Sequence, residues 1–308
     1  MPSLRDVKRR IGSIKNTAKV THALEAVSAT KMRRWQERAL AARPFAAKAL
    51  ALLAYLKSKS GRHYPTLAVK SPKPDAPPTA FIVISSDKGL CGGYNIKLLT
   101  YIEKKLKNEN NGVKIIALGR YGKDYLKRRN YDILLEETGF GENITQEKVK
   151  EMYGFLEHAF LKGIFSKVFV GYTEFITTLR QEPRVRQLLP IDEVDLAAIV
   201  ENITPRSGRY SEETRNSKLE IPNLRYIFEP SPEAIIPSLV KELTQVALFH
   251  MVLEANASEH SARMIAMKNA TDNANDILDA LGLQYNKARQ GEVTKGVLEV
   301  AAGASSSH

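Results

Sequence analysis

The clearest pattern in the chain is a repeat of apolar or small residues near the amino terminus, spaced alternately three and four positions apart. It runs through Leu4, Val7, Ile11, Ile14, Ala18 and Thr21. This alternation places a narrow apolar seam along a helix and is typical of a coiled coil. The sequence therefore predicts one long helix over residues 3–58, with Ser3 and Asp6 forming a capping box at its start.

The spacing of this seam changes after Thr21. The next apolar residues, Leu24 and Val27, continue in steps of three. A step of this kind, called a stammer, overwinds a coiled coil locally. The pattern thus predicts a local change of supercoil around Leu24.

The carboxyl-terminal part of the chain has the same spacing. Residues 233–281 contain no Gly and a single Pro, Pro237, and the seam consists of Met264, Met267, Thr271, Ala274, Leu278, Leu281, Tyr285 and Ala288. Because the two seams lie at opposite ends of the chain, an antiparallel coiled coil is the simplest arrangement. The alternative is that each helix belongs to a separate bundle.

Between the two seams, strand and helix patterns alternate. A proline-rich linker is predicted over 59–78, and strands are predicted at 79–85, 113–118, 131–135, 167–172, 177–189 and 224–228. Helices are predicted at 95–108, 119–129 and 145–161. This alternation indicates a Rossmann-like α/β domain over 79–230, built on a sheet of parallel type. We expect a polar surface loop at 195–220, a coiled-coil helix at 231–304 and a disordered tail at 305–308.

Charge separates the two predicted long helices. The chain carries 46 basic and 34 acidic residues, a net charge of +12, and residues 1–60 hold fourteen of the basic and three of the acidic ones. Residues 232–303 hold six basic and nine acidic residues, so the two helices are electrostatically complementary. The alternative, a nucleic-acid-binding arm, is disfavoured because the basic residues are not interleaved with aromatic ones.

The densest motif, residues 85–95, follows the first predicted strand. Its glycines, Gly89, Gly92 and Gly93, fit neither a Walker A motif nor a dinucleotide-binding fingerprint. A catalytic Cys91 would need a base, and no histidine is placed near it by the sequence. A structural turn is therefore favoured over an α/β enzyme that uses Cys91.

Other chemistry is not indicated. A single cysteine excludes an internal disulfide, and no metal-binding motif or cofactor-binding motif is present. No apolar run reaches the length of a membrane span, and no signal segment opens the chain. We expect the carboxylates of the carboxyl-terminal helix to be solvated: Glu254, Glu259, Asp272, Asp276 and Asp279. The residues alone thus predict a soluble protein from a reducing compartment, one that transmits position or torque, or holds partners apart.

Three blocks of sequence resemble the gamma subunits of F-type ATP synthases of the bacterial type. The first block is residues 11–32, the second is Ser86-Asp87-Lys88-Gly89-Leu90-Cys91-Gly92-Gly93-Tyr94-Asn95, and the third is residues 259–274, continued by 285–290 and 299–304. They occur in the family's order and span both ends and the middle of the chain.

This resemblance implies a non-catalytic rotor subunit, present once per complex, that couples a proton-driven c-ring to catalysis on three beta subunits. The implied partners are three alpha and three beta subunits, the epsilon subunit and the c-ring, with no nucleic acid and no cofactor. The implied location is the cytoplasmic side of the plasma membrane, as a peripheral protein.

The resemblance also implies roles for particular residues. Arg289 and Gln290 match a pair that contacts a loop of beta, and Leu24 with Lys31 lies where a second loop of beta passes. Tyr226 and Glu229 match the part that meets the c-ring, and Val297 and Val300 would turn in a sleeve at the tip. Gly296 replaces the family's usual glutamate, so we expect a tip that frays or bends more readily. Residues 195–220 lack the cysteine pair of the chloroplast relatives.

Overall fold

The structure is a computed structural model that describes residues 3–42, 44–45, 48–49, 52, 55, 77–109, 112–142, 144–190 and 231–305. The chain divides into two compact units. We call the first, Met1–Ala29 with Arg263–His308, the two-helix unit, and the second, Thr30–Ala262, the α/β unit. The domain limits expected from the sequence, at 58, 78 and 230, stay a prediction.

Helix α1 spans Leu4–Ala41. The predicted capping pair is confirmed at its start, because the Asp6 backbone N–H donates to the Ser3 hydroxyl oxygen at 3.2 Å, while the hydroxyl donates to the Asp6 carboxylate at 2.8 Å. The prediction of one helix to residue 58 fails only in its continuity: α1 ends three residues before Pro44, and the described residues 44, 45, 48, 49, 52 and 55 are again helical. Proline lacks a backbone N–H and disfavours helical conformation in the residue before it.

The carboxyl-terminal helix, called α5 below because three shorter helices precede it, spans Pro232–Ser305 without a break. Its first turns include Pro237, and its last turns include Gly296. The structure shows no interruption at Gly296, where we had expected a weaker tip, and Ser305 is helical rather than part of a disordered tail. Residues 306–308 lie outside the described residues.

In the two-helix unit, α1 and α5 form the predicted antiparallel coiled coil. All six seam residues of α1 from Leu4 to Thr21 are buried or half-buried, and so are all eight of α5 from Met264 to Ala288. The two seams meet at Thr21 and Thr271, whose hydroxyl oxygens are 2.7 Å apart. The spacing of apolar residues therefore located this interface correctly.

The stammer predicted after Thr21 is wrong. Val27 is 52% exposed, whereas the adjacent Ser28 is 2% exposed. Together with half-buried Glu25, Ser28 keeps the alternation of four and three positions. Ser28 can be buried because its hydroxyl donates to the Leu24 carbonyl oxygen at 2.7 Å, so its polar group is satisfied within the helix.

The α/β unit contains a five-stranded sheet in the order β3-β2-β1-β4-β5. Its strands are β1 Thr79–Ile84, β2 Val113–Leu118, β3 Asp132–Glu137, β4 Lys167–Thr177 and β5 Arg180–Leu189. Three helices connect them: α2 Tyr94–Leu106, α3 Arg120–Lys127 and α4 Gln146–Leu161. The pairs β1–β2, β1–β4 and β2–β3 are parallel, and β5 is antiparallel to β4. The predicted α/β fold class is confirmed, while the strand predicted at 224–228 and the loop at 195–220 lie outside the described residues.

The sheet is covered on both faces, which explains the nearly continuous apolar runs of its central strands. On one face Phe81 and Val83 pack with apolar residues of α2 and α3. On the other face Ala80, Ile82 and Ile84 belong to one large core with α4 and with residues 236–257 of α5. The first half of α5 is thus the third layer of the α/β unit.

Two carboxylates, Glu174 and Glu254, are buried where β4 and β5 face α5. Arg184 Nε donates to a Glu174 carboxylate oxygen at 3.0 Å, and Arg186 Nη2 lies 3.3 Å from the other oxygen. Glu254 is buried and lies 3.8 Å from His250 Nδ1. The expectation that Glu254 is solvated is therefore wrong, and Glu259 is half-buried, whereas Asp272, Asp276 and Asp279 are exposed as predicted.

One helix among the described residues, Ile235–Leu298 within α5, is long and apolar enough to cross a membrane. In its most apolar window 56% of the residues are buried inside the protein. A buried core helix gives the same composition, so the observation is weak support for a membrane span.

Candidate functional site

The loop from Ser85 to Gly93 leaves the carboxyl end of β1, between the neighbouring strands β2 and β4. The chain goes to β2 from one side of β1 and returns to β4 on the other, so this is the point where the strand order reverses. In open α/β sheets such a point commonly holds a ligand. Here the loop instead makes a dense set of internal contacts.

Ser85 and Asp87 join the carboxyl ends of three strands. The Ser85 hydroxyl accepts from the Gly122 N–H at 2.8 Å. The Asp87 carboxylate accepts from the Arg120 N–H at 3.1 Å and from the Gly139 N–H at 2.8 Å. Because these donors follow β2 and β3, Asp87 fixes both connections to the end of β1.

Gly119 allows this close approach. Its φ is +102°, and a Cβ at this position would lie 2.1 Å from the Ser85 carbonyl oxygen. Real side chains do not approach a backbone oxygen this closely, and a φ of this size is rarely adopted by residues other than glycine. The turn after β2 therefore requires glycine.

Cys91 is part of a buried polar network. It is 3% exposed, and its sulfur lies 3.4 Å from Asn95 Nδ2 and 4.0 Å from the Ser86 hydroxyl. Asn95 also donates to the Ser86 hydroxyl at 2.6 Å and accepts from the Ser86 N–H at 3.2 Å. An amide and a hydroxyl do not take a proton from a thiol at neutral pH. The network supports a structural turn and gives no support to a nucleophilic Cys91.

Two lysines converge on Glu142 beside this loop. Lys31 Nζ lies 3.0 Å from a Glu142 carboxylate oxygen, and Lys88 Nζ lies 3.2 Å from the same oxygen. The hydrogen bond from Lys31, assisted by that from Lys88, holds the pKa of Glu142 below its usual value. Glu142 thus links α1 to the loop after β1 through its two ion pairs.

The same region is attached to α5. The Tyr94 hydroxyl donates to the Ala255 carbonyl oxygen at 3.1 Å, and Asn256 Nδ2 donates to the Gly141 carbonyl oxygen at 2.9 Å. A cleft between these contacts, lined by Asp87, Lys88 and His260 among others, has a free volume of about 20 Å³. This space suits about one water molecule and is far smaller than a nucleotide site.

Within the described ranges, no group of three or more His, Cys, Asp or Glu side chains could hold a metal ion. The loop after β1 is therefore best described as a joint that holds the sheet to segments of both long helices within the α/β unit.

The carboxyl-terminal end of α5, in the two-helix unit, offers a different kind of site. Arg289 and Gln290 are exposed, just after the last half-buried seam residue, Ala288. Beyond them Val297 is 63% exposed and Val300 is 75% exposed. The structure thus places all four predicted residues on an accessible part of α5 and leaves their contacts with partners untested.

The other predicted site residues are less exposed or not described. Leu24 is half-buried in α1, and Lys31 is engaged by Glu142. Tyr226 and Glu229 lie outside the described residues. The structure therefore brings Arg289, Gln290, Val297 and Val300 onto one helix end and does not group Leu24 or Lys31 with them.

Glu142 and Asn256 were missed by the sequence analysis. Glu142 follows Gly141 in a turn, and its two lysine partners are 111 and 54 positions away in the chain. Asn256 stands in a helical pattern that marks it as an ordinary polar residue. The one signal available was that Lys31 and Lys88 both lie in the blocks that resemble the gamma family.

Comparison with known proteins agrees with this architecture. The family model described as ATP synthase matches residues 3–306. The chain is 38% identical over 305 residues to the ATP synthase gamma chain of Pelotomaculum thermopropionicum and 35% identical over 305 residues to that of Heliobacterium modesticaldum. Each alignment covers 99% of both chains.

Solved structures share the fold. A chain of the Euglena gracilis mitochondrial ATP synthase OSCP/F1/c-ring structure matches with a TM-score of 0.64 at 14% identity, covering 99% of this chain and 94% of that one. A chain of the Tetrahymena thermophila central stalk/c-ring structure matches with a TM-score of 0.53 at 20% identity, covering 82% of this chain and 99% of that one. Together with the end-to-end sequence matches, these findings show that the chain belongs to the ATP synthase gamma chain family, the non-catalytic rotor subunits of the F1 complex.

Proposed function

We propose that this chain transmits torque between a proton-driven c-ring and the three catalytic beta subunits of its ATP synthase. It would be present once per complex, inside a ring of three alpha and three beta subunits and beside the epsilon subunit. The complex would lie at the plasma membrane, with this chain peripheral on the cytoplasmic side. No nucleic acid or bound cofactor is needed for this role.

One observation carries the proposal: burial along α5 stops abruptly after Ala288. The α1 helix starts at Leu4, which the antiparallel register places opposite Ala288, so α5 continues beyond its partner. Every residue of α5 from Arg289 to Leu298 is exposed, including Val293, Val297 and Leu298. A run of exposed apolar residues on a helix end indicates a surface that a partner covers. A close-fitting apolar sleeve around Val297 and Val300 would cover it and still permit rotation.

Arg289 and Gln290 are suited to contact a loop of beta just below this sleeve. An exposed guanidinium can make a bidentate contact with a carboxylate, and an amide can both donate and accept. Neither side chain is needed for the seam, because Ala288 and Tyr285 occupy it. We therefore propose that both serve the interface rather than the stability of the coiled coil.

Two further contacts with partner subunits are proposed, one on α1 and one just before α5. Leu24 is half-buried and Lys31 keeps part of its side chain exposed beside Glu142. A second, charged loop of beta would pass this stretch of α1 and compete with Glu142 for Lys31. Tyr226 and Glu229, just before α5, would meet the polar loops of the c-ring.

Crosslinking tests the proposal directly. Arg289→Cys, in the chain co-expressed with its own alpha and beta subunits, should form a crosslink to beta with a short heterobifunctional reagent that joins a thiol to an amine. The native Cys91 is buried and should react little. Lys127→Cys, at an exposed position in the α/β unit, is the matched control and should give no crosslink to beta. Recovery of the chain without alpha and beta, or equal crosslinking from both positions, would contradict the proposal.

A further inference from the structure

The amino ends of the parallel strands form a strongly basic edge of the α/β unit. Helices α2, α3 and α4 all end here, because each runs back from the carboxyl end of one strand to the start of the next. Seven exposed basic residues lie in these helix ends and the turns after them: Lys104, Lys105, Lys107, Lys127, Arg128, Arg129 and Lys162. We call this set the basic edge.

Acidic residues at this edge are engaged by neighbouring side chains, among them Lys107 of the basic edge. Glu103 accepts from the Tyr125 hydroxyl at 2.7 Å and pairs with Arg129 at 3.1 Å and with Lys107 at 3.3 Å. Asp132 pairs with Lys114. These pairs join the ends of α2 and α3, so the two helices present one continuous surface.

In the described part of the chain, most of the basic edge is not neutralised by neighbouring carboxylates. Among the described residues, no carboxylate lies within 4.0 Å of the charged groups of Lys104, Lys105, Lys127, Arg128 or Lys162. Several like charges on one surface repel one another unless an anionic partner lies opposite them. The surface therefore fits a partner with many negative charges.

Two large apolar side chains stand at the same edge. Leu161 is 65% exposed and Ile164 is 52% exposed. Gly163, with φ +72°, ends α4 between them, and the Ile164 N–H donates to the Ala159 carbonyl oxygen at 2.9 Å. This tight turn directs two apolar side chains outward beside Lys162.

This edge lies at the end of the α/β unit where α5 begins. Lys241, in the third turn of α5, pairs with Glu157 near the end of α4 at 2.6 Å. Ile236 packs in the same core as Phe160, in the last turn of α4. In the sequence, Glu229 and Tyr226 precede Pro232 by three and six residues.

We propose that the basic edge binds anionic phospholipid headgroups at the membrane surface, with Leu161 and Ile164 entering the interface. This rests on the proposed function, in which residues 226 and 229 meet the c-ring and so bring this edge to the membrane side. Basic residues beside exposed Leu and Ile are typical of a surface that lies on anionic lipid. An acidic protein partner would use the charges but would not require the adjacent apolar pair.

Vesicle binding of the assembled complex tests the proposal. The chain is co-expressed with its own alpha and beta subunits, and the purified complex is sedimented with vesicles containing phosphatidylglycerol or with phosphatidylcholine vesicles. Each basic residue near an anionic surface strengthens binding about fivefold. Changing Lys104, Lys105, Lys127 and Arg128 to Gln should therefore weaken binding to the anionic vesicles roughly 600-fold.

Further variants test whether the basic edge and its apolar pair are responsible for the binding. Lys97→Gln with Lys150→Gln removes exposed charges from the opposite edge of the same sheet and should leave binding within about twofold. Leu161→Ser with Ile164→Ser should weaken binding while preserving charge. ATP hydrolysis by the complex shows that each variant assembles.

The outcomes separate the two proposals. If no complex with alpha and beta forms, the proposed function fails. If the complex forms but binds anionic and neutral vesicles equally, or if the two charge variants bind alike, the lipid proposal is overturned. The third outcome is that the complex does not bind protein-free vesicles, while the four-residue variant binds less tightly than the unchanged complex to vesicles that carry the c-ring. The partner is then an acidic protein, and the lipid proposal is again overturned.

Discussion

Each of the two units of this chain is stabilised by a different kind of internal contact. In the two-helix unit, stability comes from many similar small contacts along a seam that includes the contact of Thr21 with Thr271. In the α/β unit, a few positions such as Gly119 and Asp87 fix the ends of several strands at once. A single substitution should therefore destabilise the two-helix unit only locally, whereas a substitution at one of these fixed positions should destabilise the whole α/β unit.

The largest effect is expected at Gly119. Gly119→Ala would place a Cβ 2.1 Å from the Ser85 carbonyl oxygen at a φ of +102°, so the turn after β2 must move. We expect a loss on the order of 3–5 kcal/mol in the free energy of unfolding of the α/β unit. Urea unfolding followed by circular dichroism measures it, with Gly154→Ala as control, since a Cβ there has nothing within 4 Å. Equal midpoints for the two variants would show that the turn is not fixed by Ser85.

A smaller and more local effect is expected in the coiled coil. Leu281→Ala removes one buried seam side chain and should cost about 2 kcal/mol. Amide hydrogen exchange should quicken around residues 274–288 and stay unchanged in the sheet of the α/β unit. Leu283→Ala, two positions away and exposed, is the control and should alter neither region. If exchange quickened equally in the sheet, the units would not be energetically separate.

The register of α1 can be tested with two adjacent residues. Ser28→Leu forces a large side chain into a buried position and should destabilise the protein by about 1–3 kcal/mol. Val27→Ser changes an exposed residue and should shift stability by no more than about 0.5 kcal/mol. Thermal unfolding of the purified chain compares them. If Val27→Ser lowered the melting temperature more than Ser28→Leu, the result would support the stammer that the spacing of apolar residues predicts.

The smallest effect is expected for the ion pairs of Glu142, which are partly exposed. Because the folded state lowers the pKa of Glu142, its contribution to stability is present above the usual pKa near 4.5 and is lost as the pH falls through the lower value. Glu142→Gln should therefore reduce stability slightly at neutral pH and remove this part of the acid dependence. Urea midpoints measured from neutral to acidic pH should converge for the two proteins. Parallel curves would show that the lysine contacts contribute nothing.

The sequence predicted the features that repeat. Seam residues such as Met267, Ala274 and Leu281 were located correctly because burial on a coiled coil follows from spacing alone. Strand β2 was predicted with its observed limits, since a buried parallel strand is a short apolar run between turn residues.

Features that depend on distant partners could not be predicted in this way. Glu254 was expected in solvent, yet it is buried beside His250 because β4, β5 and α5 meet there. The spacing of apolar residues favours Val27 over Ser28 as the buried residue, because serine is counted as polar. The Ser28 hydroxyl is nevertheless satisfied within its own helix, so this side chain can be buried. The partner surfaces of Arg289 and Val297 likewise depend on other chains.

The central claim, that the chain turns as a shaft, is tested most directly by observing rotation. A bead is attached at Lys127→Cys, exposed on the α/β unit, in a complex with the chain's own alpha and beta subunits fixed to a surface. ATP should drive one-directional rotation with three stops per turn, and replacing Arg289 and Gln290 by Ala should lower the torque while leaving the coiled coil folded. ATP hydrolysis at the normal rate with a stationary bead would contradict the account.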